Sequence, residues 1–277
     1  VFASDFDLGI MGEAYYDAGS EANYGGEFSA WNNGWAYRND NVDIQNNEDP
    51  LSNGYNVGWI ESDEWMQYTL KDPTSGLYNI KVRVATEDND GSFYFKINDN
   101  QVTDLINVPN TESWTNWSFI NIDSLVVYDT DDKFVFQVKT GTFNLGFFEF
   151  ERIGDINLLQ TKYISSFTLS ENSININFNK NLDNTSILNK SDFLLNINDQ
   201  EKDIQNVNYS SSPRSIIINF DTEIQPTDIV TLSYIGNSVK ALDGETLINF
   251  NNEVVENKIS FVHAIPGKIE AEHYYNQ

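Results

Sequence analysis

Apolar and polar positions alternate with a period of two along most of the chain. The runs Trp65–Leu70 (WMQYTL), Tyr78–Thr86 (YNIKVRVAT), Ser92–Asn98 (SFYFKIN), Trp117–Ile122 (WSFINI), Lys133–Thr140 (KFVFQVKT) and Phe143–Ile153 (FNLGFFEFERI) are rich in β-branched and aromatic residues. They predict strands, several with one face buried. Turn clusters separate them: Asp72-Pro73-Thr74-Ser75-Gly76, Asp88-Asn89-Asp90-Gly91 and Asn98-Asp99-Asn100. This spacing is that of an antiparallel sandwich, and no helical stripe of useful length appears.

The pattern continues through Ile164–Leu169, Ser173–Phe178, Phe193–Ile197, Ser215–Phe220, Ile229–Tyr234 and Lys258–Val262. About seven short strands in roughly 100 residues is the size of an immunoglobulin-like sandwich. Its polar positions are mostly Asn, Ser, Thr and Asp with no aromatic cluster, so it reads as a spacer. The chain as a whole is expected to be all-β: a jelly-roll-like β-sandwich, then an immunoglobulin-like one.

Composition sharpens the division. All six tryptophans lie before residue 118 in a chain of 277. A boundary is expected near Gly154–Lys162, giving domains at 1–155 and 156–263 and a short remainder at 264–277. The acidic side chains also concentrate in the first part, 27 against 8 basic ones. A formal net charge of −26 argues against a polyanionic partner, because phosphate binding needs clustered Lys and Arg, so nucleic acid is excluded as a ligand.

With no cysteine there is no disulfide or thiolate site. No stretch approaches the ~20 apolar residues of a membrane span, and no membrane partner is expected. Val1 begins in mid-domain, so the chain reads as an excerpt from a longer protein. The two histidines, His263 and His273, lie near its end and leave the first domain without a His-based acid–base catalyst.

Several motifs of the first part occur in the order found in one family. They are Gly12-Glu13-Ala14-Tyr15-Tyr16-Asp17; Tyr37-Arg38-Asn39-Asp40 followed by Val42-Asp43-Ile44; Asn53-Gly54-Tyr55-Asn56-Val57-Gly58-Trp59; Asp63-Glu64-Trp65-Met66-Gln67-Tyr68-Thr69; Gly76 to Ala85; and Phe143-Asn144-Leu145. Together, over residues 1 to about 153, they resemble the family-six carbohydrate-binding modules of bacterial polysaccharide-degrading enzymes. That resemblance implies a β-sandwich with a sugar cleft in the loops at one end, and in some members a second cleft on a sheet face. It further implies a Tyr and a Trp flanking a sugar ring and an Asn bonding its hydroxyls. By motif these are Tyr37, Trp114 and Asn144.

The residue types suit the task. A pyranose offers C–H faces to an aromatic plate and hydroxyls to an amide that both donates and accepts. Aromatic residues in a sandwich are more often core, and Trp59, Trp65 and Tyr68 are read that way. Trp114 follows the turn Pro109-Asn110-Thr111-Glu112 and is preferred over Trp117, which at three residues' distance faces the other way. Trp31 and Trp35, in the long Gly- and Asn-rich connection before Tyr37, either add a sugar subsite or fold back as a local cap. Glu61, Asp63 and Glu64 are read as solvated strand-edge charge.

The resemblance also implies a structural calcium held by an N-terminal Glu-x-Glu and an acid two places after the cleft Asn. The matching places here are Phe2, Ser4 and Gly146, none an anionic oxygen ligand. That site is expected to be lost or rebuilt, with no other cofactor. Ile265–Tyr275 looks like the start of another such module, and its strand could alternatively pair with the first domain.

The expected function is non-catalytic polysaccharide binding that targets a covalently linked, secreted or cell-surface glycoside hydrolase to plant or algal cell-wall glycan, whether β-glucan, xylan or agarose-type. Two alternatives stand beside it: a structural or adhesin-type β-domain array with a degenerate sugar site, and a glycoside hydrolase itself. No motif marks the spaced carboxyl pair that the last would need.

Overall fold

In the computed structural model residues 1–18, 37–38 and 40–261 are described. The chain divides into two compact units, Val1–Leu159 and Gln160–Gln277. Both are built of β-strands, so the fold is all-β. The segment Ile265–Tyr275 and both histidines lie outside the described residues.

The first unit contains β1 (Tyr15–Tyr16), β2 (Ile44–Asn46), β3 (Tyr55–Val57), β4 (Trp65–Thr69), β5 (Gly76–Thr86), β6 (Ser92–Ile97), β7 (Asn100–Gln101), β8 (Ile106–Asn107), β9 (Ser113–Val127), β10 (Lys133–Thr140) and β11 (Asn144–Gly154). One antiparallel sheet runs β1-β4-β10-β6-β7, with β8 also on β6, and the other runs β2-β3-β11-β5-β9. Alternation sets the facing residues. In β10, Phe134, Phe136 and Val138 point into the core, and in β5 Ile80, Val82 and Val84 meet them from the other sheet. Phenylalanines dominate the contact: the Phe95–Phe134 and Phe93–Phe136 ring centroids are 4.6 and 4.7 Å apart, and Phe148 stands edge-on to Phe95 at 5.8 Å.

The second unit contains β12 (Tyr163–Ser170), β13 (Ser173–Phe178), β14 (Phe193–Ile197), β15 (Gln200–Lys202), β16 (Ile204–Tyr209), β17 (Ser215–Phe220), β18 (Val230–Tyr234) and β19 (Phe250–Val254). Its four-stranded sheets, β12-β13-β17-β16 and β15-β14-β18-β19, enclose one core. Ile174, Ile176, Ile216 and Ile218 from the first sheet pack with Leu195, Leu232 and Tyr234 from the second. Two cations are buried here with partners. Lys180 Nζ lies 2.7 Å from Asp243 Oδ2, and Arg214 Nε donates to Asn181 Oδ1 at 3.1 Å.

Most expected strands form within a residue or two. The run beginning at Lys258 does not. Residues 257–261 belong to no strand, and side chains anchor them instead: Lys258 N donates to Thr168 Oγ1, and its ammonium sits 4.1 Å from the Phe167 ring centre. Conversely β16 and β19 escape the sequence reading because Gln205, Asn206, Asn208 and Asn251 to Glu253 hide their alternation. Both are outer strands with a solvent-facing side.

Replacing Phe95 by Ala removes the ring that touches Phe93, Phe134, Phe136 and Phe148. It should cost about 3–5 kcal/mol, read by denaturant unfolding followed through the tryptophans of the first unit.

Candidate functional site

The end of the five-stranded sheet where β3 stops and β11 begins brings three chain segments together. Asn144 opens β11, pairs with Ala85 on β5 and is buried. Its Nδ2 donates to the main-chain oxygen of Trp114 at 2.8 Å, which fixes the amide and the segment bearing the indole in one bond. Its Oδ1 is turned toward Gly58, where an added Cβ would come within 2.9 Å. Gly58 is therefore required by close approach of the amide.

Trp59 follows with φ of +46° and is 44% exposed. This left-handed conformation costs a non-glycine residue on the order of 1 kcal/mol, and it turns the indole out of the strand's alternation. The corner is braced from both sides. Gly58 N donates to Asp43 O at 2.9 Å, and Thr142 N to Ile60 O at 2.9 Å. Gly141 makes the second brace possible, since a Cβ there would lie 2.2 Å from Ile60 O.

Trp114 reaches the surface by a different route. Val84 pairs with Ser118 but Thr86 with Ser113, so a step of two residues on β5 spans five on β9. The excess, Trp114 to Trp117, arches out as a wide bulge. Thr111 ties down its base, donating N–H to Thr86 O at 2.9 Å and accepting Asn116 Nδ2 at its carbonyl at 2.6 Å. Trp114 is 37% exposed, whereas Trp117 is half-buried, its ring against Gly146 beside Arg83. Strand order places β3 and β5 on either side of β11, with β9 beyond β5. Trp59 and Trp114 thus stand to opposite sides of Asn144.

Trp59 is a correction to the sequence reading, which placed it in the core. Alternation from Val57 points inward, but Gly58 ends the strand and the positive φ reverses the next side chain. The signal in the sequence was the glycine before the indole and the acidic Glu61-Ser62-Asp63 after it. Trp65 is half-buried, and Tyr68 is buried with its hydroxyl donating to Ala3 O at 2.9 Å.

Tyr37 is 37% exposed and is held from the N-terminal side. Its ring packs on Tyr55 with centroids 4.4 Å apart, and its hydroxyl donates to the Asp5 carboxylate and accepts from Asn53 Nδ2 at 3.3 Å. Asn144 lies opposite Gly58, three residues along β3 from Tyr55, or roughly 10 Å. The neighbouring Arg38 explains the placement. Its guanidinium lies 3.5 Å from the Phe6 ring centre, bonds Asp40 at 2.8 Å and donates to the carbonyls of Ser4, Phe6 and Asp7. The Tyr37–Asp40 motif clamps the N-terminal segment. Trp31 and Trp35 lie outside the described residues.

At the places matched to the calcium ligands, Phe2 bridges to Phe147, Ser4 is buried with its Oγ accepting from Asn53, and Gly146 packs under Arg83 and Trp117. Among the described residues no three acidic or histidine side chains are arranged to hold a metal ion. Glu61 and Asp63 are exposed, but Glu64 is buried, another correction: it packs against Asp17 near the end of β1. Exposed Glu61, Asp63, Glu87, Asp90 and Glu112 lie on the segments carrying Trp59, Asn144's partner strand and Trp114, and none of the stretches 58–64, 84–92 and 108–118 contains Lys or Arg.

Residues 36–152 match the family model described as carbohydrate binding module (family 6). Among solved structures the chain is similar to a module of this family from Cellvibrio mixtus lichenase 5A in complex with cellotriose, at 25% identity over 40% of this chain and 87% of that one, with a TM-score of 0.37. It is similar to the C-terminal family-6 module of a marine laminarinase from Zobellia galactanivorans, at 26% identity over 40% and 88%, TM-score 0.36. A third, from Clostridium stercorarium in complex with cellobiose, shows 16% identity over 55% and 92%, TM-score 0.39. No curated protein matches the chain. Over residues 36–152, then, the sequence matches the model of the family-6 carbohydrate-binding modules, a non-catalytic binding family.

Proposed function

We propose that the first unit binds a neutral polysaccharide at the β3–β11 end of its five-stranded sheet, with Trp59 and Trp114 as plates and Asn144 between them. The observation that carries this is the joint presentation of two exposed indoles about one buried, oriented amide. Indole faces take the C–H faces of sugar rings, and the remaining donor and acceptor capacity of Asn144 suits a hydroxyl.

The acidic rim favours an uncharged ligand, because a uronate or sulfated chain would meet like charge with no cation on the same segments. β-Glucan and xylan fit this. Of the agarose-type polymers, neutral agarose itself also does. A hydrolytic role is less well supported. Two catalytic carboxyls stand about 5–9 Å apart across the sugar, whereas Asp17 and Glu64 are buried side by side.

Within the parent protein the reading extends to targeting of a covalently linked glycoside hydrolase outside the cell or at its surface. The second unit would serve as an immunoglobulin-like spacer. Single modules bind sugars over a small contact area, so repeated modules on one polymer would gain by effective concentration.

Calorimetry of the whole chain against laminarin, cello-oligosaccharides, xylan, agarose oligosaccharides, alginate and polygalacturonate tests this. Binding is expected to at least one neutral glycan and to neither uronate. Trp59→Ala and Trp114→Ala should each weaken it roughly 10- to 100-fold, while Tyr37→Ala leaves it within about threefold. Retained binding in both tryptophan variants would remove the site assignment.

Gly58→Val drives a side chain against Asn144 Oδ1. It should abolish binding while the far-ultraviolet circular dichroism remains that of the wild type.

A further inference from the structure

Beside the Gly58–Trp59 corner lies a group of carboxyls that sugar contact does not use. Asp17 and Glu64 are 7% and 8% exposed and lie side by side, one residue beyond the Tyr16–Trp65 pair of β1 and β4. Ala18 N donates to Glu64 Oε1 at 3.1 Å. Asp43, Glu61 and Asp40 face the pair, and Asp43 Oδ1 is buried with no hydrogen-bond partner among the described residues. The cation of this region, Arg38, is bonded to Asp40 and to three carbonyls of the N-terminal segment. The Tyr15 hydroxyl also faces Asp40, Asp17 and Arg38.

Two carboxylates buried side by side repel each other if both ionise, so the Asp17–Glu64 pair retains a proton. Burial, then the neighbouring Asp43, pushes Asp17 up to about 7; burial, then Asp17, pushes Glu64 up to about 9. Asp43 is raised to about 6, by burial and then by Glu61. The group is mechanically joined to the corner. Asp43 O accepts from Gly58 N, and Glu64 O accepts from Val138 N at 2.8 Å and from Gln137 Nε2 at 3.2 Å. Glu64 therefore closes the far end of the segment bearing Trp59, and the main chain of Asp43 holds its start.

We propose that the proton shared by Asp17 and Glu64 is a latch that holds the Gly58–Glu64 segment, and with it Trp59, in its surface position, so that alkaline pH releases the sugar plate. This rests on the reading of Trp59 as a sugar contact. The folded-state carboxyls hold their protons more tightly than in the unfolded chain, where they titrate near 4. Their stabilisation is complete below that pH and is lost as pH rises through about 7 and then about 9.

The test uses the whole chain, Glu64→Gln and Asp17→Asn between pH 5.5 and 9.5. In the wild type the thermal midpoint of the first unit should fall by roughly 5 °C or more over this range. Glu64→Gln should flatten the fall. Equal slopes in wild type and both variants overturn the latch. If neither variant folds, carboxyl carbon-13 titration of the wild type decides: a midpoint above pH 6 for Asp17 or Glu64 supports the shared proton, and both below 5 refutes it. Should 1 mM calcium chloride abolish the pH dependence and a chelator restore it, a cation rather than a proton joins the pair, which also refutes it.

Coupling to the sugar site is read separately. Affinity for laminarin, or the panel glycan that binds best, should drop at least tenfold from pH 6 to 9.5 in the wild type and at most threefold in Glu64→Gln. Shared-proton titration with unchanged affinity defeats the coupling. Absence of binding to every glycan at every pH defeats the sugar reading and with it the release of a sugar plate, while the titration still reports on the proton.

Discussion

The interlocked rings of Phe93, Phe95, Phe134, Phe136 and Phe148 hold the two sheets of the first unit in register without any covalent staple. The loops depend on that packing. Asn144 is oriented because β11 is pinned at Phe148, and the register break between Leu145 and Phe148 lets the strand's first residues leave the regular ladder while the later ones stay in the core. Packing at this density leaves side chains few alternative positions. The rim can then carry a left-handed tryptophan and a wide bulge without the strain spreading inward.

Strands of the core were legible because their buried face repeats every second residue, as Phe134-Phe136-Val138 shows. Resemblance named Asn144 and Trp114 and the fold brings them together, although the link between them, an amide bonded to a main-chain oxygen, is invisible in sequence. Trp59 was not legible. One glycine and one dihedral angle decide its direction, and periodicity continues straight through both. Glu64 misled for a related reason: a carboxyl among carboxyls reads as solvated until the fold brings Asp17 from about fifty residues away.

The second unit shows the same limit on polar residues. Its aliphatic strands were plain, yet nothing in the local sequence marks Lys180 and Arg214 as being among its best-buried side chains. Each is tolerable inside because the fold supplies partners, Asp243 to the first and Asn181 with the Asn179 carbonyl to the second. Tertiary partners of this kind leave no local trace. The clamp around Arg38 is another example, where one guanidinium fastens the chain's own beginning through three main-chain carbonyls.

The bulge at Trp114–Trp117 has a consequence beyond ligand contact. β9 is an outer strand of its sheet and, at fifteen residues, much longer than β2, the three-residue strand at the opposite edge. A flat outer strand of that length is a template on which a second chain could add its own backbone. The arch breaks the row of unpaired amides near its start, and Asp123 places a charge farther along. The feature that exposes the Trp114 indole therefore also discourages one copy of the chain from adding its backbone to another, edge to edge.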